Sequence, residues 1–364
     1  MHAEKNRNCQ LDNQKMSQQK VILSQQLDAT LKEAISECEH DMIFVLADET
    51  TAKCCLPVVS AFDYLKDAKV IIIQATDSHK DVASLCHVWN DLSEGGATRH
   101  TLLINIGGGM VTDLGGFAAS TFKRGINYIN IPTTLLAMVD ASVGGKTGIN
   151  FRGLKNEVGV FNNASSVILD TEFLKTLDTE NMLSGYAEML KHGLISDQKM
   201  LNELLSFDIE KPDLHQLQRM VAESVAVKQH IVTEDPTEKG IRKALNLGHT
   251  AGHAFESFAL KHTPVLHGYA VAWGLIVELY LSAIKTGFPS DKMHQTCRFI
   301  LDHYGKMNIT CDDYPTLLEF MTHDKKNTAG IINFTLLGGV GDILINQTAT
   351  KDEIYEAFDF YREG

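Results

Sequence analysis

Two histidines stand four residues apart in residues 246–257, which read NLGHTAGHAFES. Side chains at positions i and i+4 of an α-helix lie on the same face, so His249 and His253 could approach one metal ion or one substrate. The stretch lacks the glutamate of the His-Glu-x-x-His zinc motif. The simpler interpretation is that both imidazoles are buried or surface side chains that bind no ligand. Other residues of the chain must decide between a binding site and this alternative.

Other side chains suited to a metal are Glu188 and His192, a second i, i+4 pair, and His267 in VLHGYAV. A catalytic zinc ion takes three protein ligands and keeps one position open. Together with the first histidine pair, these residues favour a metal site in the second half of the chain. Their spacing does not decide which three of them would bind.

Three consecutive glycines follow an apolar run in residues 105–117, NIGGGMVTDLGGF. Glycines let the backbone approach a pyrophosphate, and the first turn of a following helix favours anions. The pattern differs from the Gly-x-Gly-x-x-Gly dinucleotide motif. The stretch therefore predicts either a nucleotide-binding turn or an ordinary glycine-rich turn between a strand and a helix.

Two lysine-containing stretches could bind the acidic groups of a substrate. Residues 138–156 carry Asp140, Lys146, Lys155 and Asn156 among several glycines. Lysines on such a segment suit phosphate groups, so we favour an anion site over a solvated loop.

The second of these stretches, residues 225–249, contains Lys228, Arg242 and Asn246. Arg242 could fork onto a carboxylate and Lys228 could add a point charge. A charged helix face is the alternative. Lys325 and Lys326 could likewise be a solvated pair or a phosphate contact.

Short apolar runs alternate with helical patterns in the first half of the chain. Runs that are apolar throughout are typical of parallel strands covered on both faces. We predict strands at residues 42–48, 69–75, 101–109, 128–134 and 166–170. Beyond about residue 177 the apolar residues recur at helical spacing. The pattern predicts a polar, flexible leader and two domains: residues 1–20, an α/β Rossmann-like nucleotide-binding domain at 21–177, and a mostly α-helical metal- and substrate-binding domain at 178–364.

Composition excludes several classes of protein. A formal net charge of −13 over 364 residues argues against a nucleic-acid-binding protein, which needs basic surface. The longest apolar runs are too short to span a bilayer, and the leader lacks the apolar core of a signal peptide. Seven cysteines without a Cys-x-x-Cys pair indicate reduced thiols. We expect a cytoplasmic protein with neither a nucleic-acid nor a membrane partner.

Long segments of the chain resemble the 3-dehydroquinate synthase family of sugar-phosphate cyclases. They are residues 107–150, GYAEMLKHGLI at 185–195, EKGIRKALNLGHTAGHAFE at 238–256 and LHGYAVAWG at 266–274, in the family's order. The likeness covers residues 48 to 326. It implies an N-terminal NAD-binding α/β domain, a helical C-terminal domain and an active site between them.

The resemblance implies a role for each candidate residue. The metal ligands would be Glu188, His249 and His267, holding zinc, with cobalt as the alternative because both ions suit this set. The implied NAD contacts are Asp48, Asp77, Lys80, Gly108, Gly109, Met110, Asp113, Thr133, Thr134, Lys146, Lys155, Phe173, Leu174, Lys175 and Thr176. The implied substrate pocket comprises Asp140, Lys146, Lys155, Asn156, Lys191, Lys228, Arg242, Asn246, His253 and Lys326.

Within that pocket, Lys228 and Arg242 would hold a carboxylate. The phosphate would be held by Lys146, Asn156, His253, Lys326 and an arginine from the neighbouring subunit of a homodimer, Arg124. The implied reaction converts 3-deoxy-D-arabino-heptulosonate 7-phosphate to 3-dehydroquinate and phosphate in the shikimate pathway, which supplies chorismate and the aromatic amino acids. A substrate alcohol is transiently oxidised by NAD, phosphate leaves by β-elimination, the hydride returns, and an intramolecular aldol step closes the ring.

One stretch departs from the family pattern. Where the family usually has Gly-Glu-x-x-Lys, residues 76–80 read TDSHK, so Asp77 carries the charge on a shorter side chain. The replacement of glutamate by Asp77 affects the implied contact of this residue with the cofactor ribose.

Three other functions fit some of these residues. Relatives that cyclise sedoheptulose 7-phosphate or glucose 6-phosphate act on substrates without a carboxylate, whereas Lys228 and Arg242 favour a substrate that has one. A metal-dependent polyol dehydrogenase has a similar two-domain plan, but its usual first ligand is an aspartate, where this chain has Glu188. A regulator that binds NAD and metal without turnover is the third alternative.

Overall fold

The computed structural model describes residues 19–322 and 331–364. The strands are β1 (Lys20–Leu23), β2 (Ile43–Asp48), β3 (Lys69–Ile73), β4 (Leu102–Gly107), β5 (Asn127–Pro132), β6 (Lys146–Phe151), β7 (Leu154–Phe161), β8 (Ser166–Leu169), β9 (Asn333–Gly339) and β10 (Asp342–Thr348). The α-helices are α1 (Leu27–Ser36), α2 (Thr51–Cys54), α3 (Leu56–Ser60), α4 (Val82–Glu94), α5 (Gly109–Thr121), α6 (Thr179–Ile195), α7 (Gln198–Ser206), α8 (Leu214–Glu234), α9 (His249–Leu260), α10 (His267–Thr286), α11 (Ser290–Tyr304), α12 (Tyr314–Thr322) and α13 (Lys351–Glu363). Short 3-10 helices cover Asp63–Leu65, Asp77–His79, Phe122–Arg124, Thr171–Thr176, Ile241–Asn246 and Cys311–Asp313, and a π-helical turn covers Ala137–Ala141.

A six-stranded parallel sheet organises the first half, in the order β1-β8-β5-β4-β2-β3. The strands β4 and β8 are buried along their whole length, as expected for parallel strands covered on both faces. All the strands predicted from apolar runs are present, with ends that differ by one or two residues. The α/β prediction for this half is confirmed.

The edge strand β1 lies at the end of the stretch expected to be a flexible leader. It pairs with β8 and begins at Lys20. The side-chain amide of Gln19 donates to the Ser142 carbonyl oxygen at 3.1 Å and accepts from the Gly144 amide at 2.9 Å. Gln19 and Lys20, two residues of the expected leader, are therefore held by hydrogen bonds, and Gln19 contacts the segment that carries the lysines of the predicted anion site. Residues 1–18 lie outside the described range.

Residues 146–161 form an antiparallel hairpin of β6 and β7, for which no strand is predicted from the sequence. Their strong content of Gly, Lys and Asn hides the alternation of the buried side chains Thr147 and Ile149. A Cβ atom added to Gly159 would lie 2.1 Å from the Thr147 carbonyl oxygen, so glycine lets the two strands approach. Every residue of β7 is exposed.

The second half is mostly helical, as predicted, and contains in addition the antiparallel pair of β9 and β10. Among the described residues, α10 is long and apolar enough to cross a membrane, but 72% of its apolar window is buried inside the fold. It packs against α6, α9, α11 and α13, and it is therefore the central helix of this half. The buried apolar residues of both halves form one continuous core.

Candidate active site

Three helices bring together the side chains of a metal site. Glu188 lies in α6, while His249 and His267 are the first residues of α9 and α10. Their ligand atoms all lie within 4.8 Å of one another. The Nε2 atoms of His249 and His267 are 3.4 and 3.7 Å from the same oxygen, Oε1 of Glu188.

The burial of Glu188 fits a cation. Its side chain is 0% exposed, and among residues 19–322 and 331–364 neither carboxylate oxygen has a hydrogen-bond partner, although the ammonium of Lys191 forms an ion pair with it. A buried carboxylate without hydrogen bonds is costly unless cations balance it. Two imidazole nitrogens directed at one such carboxylate are a suitable ligand set for a divalent ion such as zinc or cobalt.

Both histidines are oriented through their other ring nitrogen. The Nδ1 atom of His249 lies 3.1 Å from the Leu247 carbonyl oxygen, and Nδ1 of His267 lies 3.3 Å from Oε2 of Glu256. A proton on Nδ1 leaves the lone pair of Nε2 free for a metal. Glu256 is thus an orienting carboxylate that the sequence analysis did not identify.

The two remaining histidines of the sequence analysis differ in environment. The ring of His253 lies edge-on to that of His249, with centroids 5.4 Å apart, so it borders the ligand triplet. His192 is fully buried and its Nδ1 pairs with the Ser224 hydroxyl at 2.7 Å. Burial, aided by the charge of Lys191, holds the pKa of His192 well below its ordinary value.

Two other triplets, His253–Glu256–His267 and Asp140–Glu188–His192, have ligand atoms equally close together. All three triplets contain a carboxylate that also pairs with a lysine: Glu256 lies 2.7 Å from Lys155, Asp140 lies 2.5 Å from Lys228, and Glu188 pairs with Lys191. The triplet of Glu188, His249 and His267 fits a metal ion best, because two Nε2 atoms face one carboxylate oxygen.

A buried ion pair lies beside the metal triplet. Lys228 donates to Oδ1 of Asp140 at 2.5 Å and to the Asp140 carbonyl oxygen at 2.6 Å. Burial opposes ionisation of Asp140, but Lys228 and Lys191 hold its pKa well below the ordinary value. The predicted substrate residues Asp140, Lys191 and Lys228 are therefore gathered in one charged group.

The carboxylate of Glu238 contacts two residues that are predicted to bind the acidic groups of a substrate. Glu238 forms an ion pair with Lys146 and accepts a hydrogen bond from Asn246 at 3.0 Å. Its φ of +61° lies in the left-handed region, which is uncommon for a non-glycine residue and is often found at functional sites. Glu238 was not predicted as a site residue, because it lies in a run of mixed charges that also fits a solvated surface.

Arg242 is almost fully buried and binds the backbone in this state. Its Nη1 donates to the Pro236 carbonyl oxygen at 2.6 Å and its Nη2 to that of Gly144 at 3.1 Å. The guanidinium carbon lies 5.6 Å from the centre of the Phe161 ring. The arginine therefore joins the glycine segment before β6 to the segment before Ile241–Asn246.

The predicted cofactor residues of the α/β half form an ionic network around Lys80. Its ammonium lies 3.0 Å from Asp113, 2.6 Å from Asn156 and 3.3 Å from Asp77. Burial raises the pKa of Asp113 to about 6, although Lys80 opposes this. Lys155 extends the network, because it lies 3.7 Å from Asp77 and 2.7 Å from Glu256.

The turn from β4 to α5 has the features of a phosphate cradle. Gly108 precedes the helix without a side-chain cap, and Met110 lies in the first turn, so the amides of that turn are available to an anion. Cβ atoms added to Gly108 and Gly109 would lie 3.2 Å from Thr134 and 3.0 Å from Ala141. The cradle fits a dinucleotide such as NAD, and Thr133 and Thr134 follow the adjacent strand β5.

The other predicted cofactor residues lie near strand ends. Asp48 ends β2 and its Oδ1 accepts from the amides of Thr50 and Thr51 at 2.8 Å, so it stabilises the next turn. The segment of Phe173, Leu174, Lys175 and Thr176 belongs to the 3-10 helix after β8.

Arg124 lies away from this cluster, and Lys326 lies outside the described residues. Arg124 precedes the amino end of β5, whereas the cradle follows the carboxyl end of β4, at the opposite edge of a parallel sheet. With Arg99 and Lys123 it lines a surface cavity of about 390 Å³.

Comparison with known proteins decides the family. Residues 70–184 match the model for the N-terminal part of 3-dehydroquinate synthase, and residues 185–327 match that for its C-terminal part. A 3-dehydroquinate synthase from Parabacteroides distasonis is 53% identical over 350 residues, covering 96% of this chain and 99% of the relative. The chain belongs to the 3-dehydroquinate synthase family.

More distant similarities agree with this family. The 3-dehydroquinate synthase of Pyrococcus furiosus is 38% identical, covering 89% of this chain and 94% of the relative. The crystal structure of 2-deoxy-scyllo-inosose synthase complexed with carbaglucose-6-phosphate, NAD⁺ and Co²⁺ has a TM-score of 0.81 at 25% identity, covering 94% of this chain and 96% of that one. The two-part fold of the 3-dehydroquinate synthase family is therefore the fold of this chain.

Proposed function

We propose that this chain is a 3-dehydroquinate synthase, a phosphate-eliminating carbon–oxygen lyase of the shikimate pathway. It converts 3-deoxy-D-arabino-heptulosonate 7-phosphate to 3-dehydroquinate and phosphate. The observation that carries the proposal is the triplet of Glu188, His249 and His267 bordered by buried cationic side chains. A substrate with hydroxyl, carboxylate and phosphate groups has a partner for each part of that arrangement.

The cofactors of this proposal are NAD and a divalent metal ion, zinc or cobalt. Bound NAD supplies a reversible hydride acceptor, and the ion supplies a Lewis acid that eases deprotonation of a substrate alcohol. Glu188, His249 and His267 would hold the ion. The cradle at Gly108 and the network around Lys80 would hold the dinucleotide, with the other predicted contacts at Asp48 and residues 173–176.

The chain's own residues bind and orient the substrate in this proposal. Lys228 and Arg242 hold the carboxylate. Nε of Arg242 has no hydrogen-bond partner among the described residues, so it can donate to the substrate while Nη1 and Nη2 keep their backbone carbonyls. Asp140, Lys155 and Lys191 complete the polar wall of the pocket. The phosphate is held by Lys146, Asn156, His253 and Lys326.

Substrate binding requires an exchange of anions at Lys146 and Asn246. Both side chains hold Glu238 in the present state. A phosphate carries more charge and more acceptor oxygens than a carboxylate, so it can replace Glu238 at the lysine. Release of the phosphate product lets Glu238 return.

A homodimer completes the proposed site. Arg124 lies at the edge of the sheet opposite to the pocket of its own subunit. It can instead bind the substrate phosphate in the pocket of a neighbouring subunit. The exposed strand β7 supports the assembly, because it presents apolar side chains and one of its edges pairs with no other strand in residues 19–322 and 331–364: Leu154 is 54%, Val158 39%, Val160 38% and Phe161 45% exposed.

We place the domain division at residues 177 and 178, just before α6, and the enzyme in the cytoplasm. All the cysteines that the structure describes are free: Cys38, Cys54, Cys55, Cys86, Cys297 and Cys311. Free thiols are typical of a reducing compartment.

A substrate screen tests the proposed function. Purified protein with NAD and zinc receives 3-deoxy-D-arabino-heptulosonate 7-phosphate, sedoheptulose 7-phosphate or glucose 6-phosphate, and phosphate release is measured. We expect release from the first substrate alone. Release from a sugar phosphate without a carboxylate would refute the roles of Lys228 and Arg242. A parallel assay supplies glycerol as a polyol and follows NADH absorbance: stoichiometric NADH there would indicate a dehydrogenase, and no turnover in either assay would favour a regulator.

A further inference from the structure

The first turn of α9 holds a candidate metal ligand but has no cap of its own. His249 is the first residue of the helix, and the residue before it, Gly248, has no side chain and a left-handed backbone with φ +78°. The first amides of a helix have no partner within the helix and need one from elsewhere. The direction of the His249 imidazole depends on how firmly this turn is held.

A carboxylate from α10 satisfies these amides. Oε2 of Glu278 accepts from the Gly248 amide at 2.6 Å, and its Oε1 accepts from the Ala251 amide at 3.1 Å. The Glu278 side chain is 0% exposed. A buried charged group in this position costs desolvation energy, and two charge-assisted hydrogen bonds offset that cost.

Glycines bring the two helices close enough for this contact. A Cβ atom added to Gly274 would lie 2.0 Å from the Gly248 carbonyl oxygen, and one added to Gly252 would lie 3.0 Å from that of Ala270. The helices α9 and α10 thus touch backbone to backbone. Glu278 lies one turn beyond Gly274, so its carboxylate reaches the start of α9.

The contact also changes the electrostatic potential at the metal site. The amino end of a helix carries roughly half a positive charge, which repels a cation held by the first residue of that helix. The Glu278 carboxylate offsets this charge. Because α10 also begins with His267, the same side chain fixes the position of one candidate ligand relative to the other.

We propose that Glu278 is a positioning residue of the metal site, which fixes the start of α9 and directs Nε2 of His249 towards Glu188. This inference rests on the metal site of the proposed function. Its consequence is a change in metal binding that a merely structural buried residue would not produce.

The test compares zinc affinity and the visible spectrum of the cobalt-substituted protein. Glu278→Gln keeps the size of the side chain but removes the charge and turns one acceptor into a donor facing an amide. We expect zinc affinity, measured by competition with a chelating dye, to fall by about 10–100-fold, the usual effect of losing an orienting partner. We also expect altered cobalt absorption bands, and activity that returns when zinc is in excess.

Ser282→Ala is the matched control. Ser282 is a fully buried polar residue one turn further along α10, and its hydroxyl donates to the Glu278 carbonyl oxygen at 2.6 Å. The control should lower thermal stability with the zinc affinity and the cobalt spectrum unchanged.

Each outcome decides between the alternatives. Glu278→Gln with wild-type zinc affinity and spectrum would show that Glu278 only stabilises the fold. Glu278→Asp, with the charge kept on a shorter side chain, should bind zinc with intermediate affinity. Failure of both metal-free variants to fold would overturn the proposal, because Glu278 would then be required by the fold itself. A wild-type protein without zinc affinity would refute the proposed metal site, which is a different failure.

Discussion

Replacing Lys228 with methionine should destabilise the protein as well as stop turnover. Its ammonium lies 2.5 Å from Oδ1 of Asp140, with side-chain exposures of 8% for Lys228 and 28% for Asp140. Methionine keeps the apolar stem of the side chain but leaves the carboxylate without its nearest cation. The Asp140→Asn/Lys228→Met double variant removes both charges.

The structure sets the size of the effect. Removing one partner of a buried ion pair costs about 3–5 kcal/mol, because the other charge stays buried. Asp140 is partly exposed and Lys191 also faces it, so we expect about 2–3 kcal/mol for Lys228→Met. A loss of that size lowers the melting temperature by about 4–12 °C, at about 2–4 °C per kcal/mol. The double variant should recover most of this loss, since no unpaired charge remains.

Thermal unfolding of the metal-free proteins at pH 7.5 measures these differences. Lys20→Met is the control: Lys20 pairs with Glu37 at 2.6 Å, but 44% and 46% of their side chains are exposed, so the melting temperature should hardly change. Both Lys228 variants should lack activity, because the carboxylate contact is lost in each. A double variant as unstable as Lys228→Met would refute the ion-pair explanation.

The remaining predictions concern other parts of the molecule. Glu256→Gln should lower zinc affinity by about 10–100-fold with the fold retained, because it orients His267; wild-type affinity in a dye competition would contradict this. In a 1:1 mixture of Arg124→Ala and Lys146→Ala subunits, exchange should restore about a quarter of wild-type activity, since half of the dimers are mixed and each has one intact site; no rescue would argue against a shared site. Burial raises the pKa of the Cys297 thiol to about 12, so at pH 8 this thiol should react with Ellman's reagent only after unfolding, unlike the exposed Cys54, Cys86 and Cys311; rapid labelling of Cys297 itself in the native protein, located by peptide mass mapping, would show that the site is open.

Particular elements show how far the sequence could predict this structure. Strands such as β4 and β8 are continuous apolar runs bounded by turns, and their burial on both faces follows from that pattern. The metal triplet is different. Spacing identified the candidate histidines, but only the resemblance to a family selected Glu188, His249 and His267 from among them.

Contacts between distant parts of the chain could not be predicted from the sequence. Glu278 meets Gly248 across 30 residues, and the closeness of α9 and α10 that allows it depends on glycines that lie in the family segments but whose packing role the sequence does not show. Glu238 lies within a quoted stretch, yet nothing in its neighbours indicates that it holds Lys146. The hairpin of β6 and β7 was not predicted, because only Thr147 and Ile149 of its side chains are buried and every residue of β7 is exposed.

The most direct test of the account follows phosphate and NADH in one cuvette. The protein, zinc and a substoichiometric amount of NAD receive 3-deoxy-D-arabino-heptulosonate 7-phosphate. We expect phosphate release of many equivalents per NAD with no rise in NADH absorbance, and we expect a chelator to abolish this release and zinc to restore it. Phosphate release that stops at one equivalent per NAD, with NADH accumulating, would contradict the account.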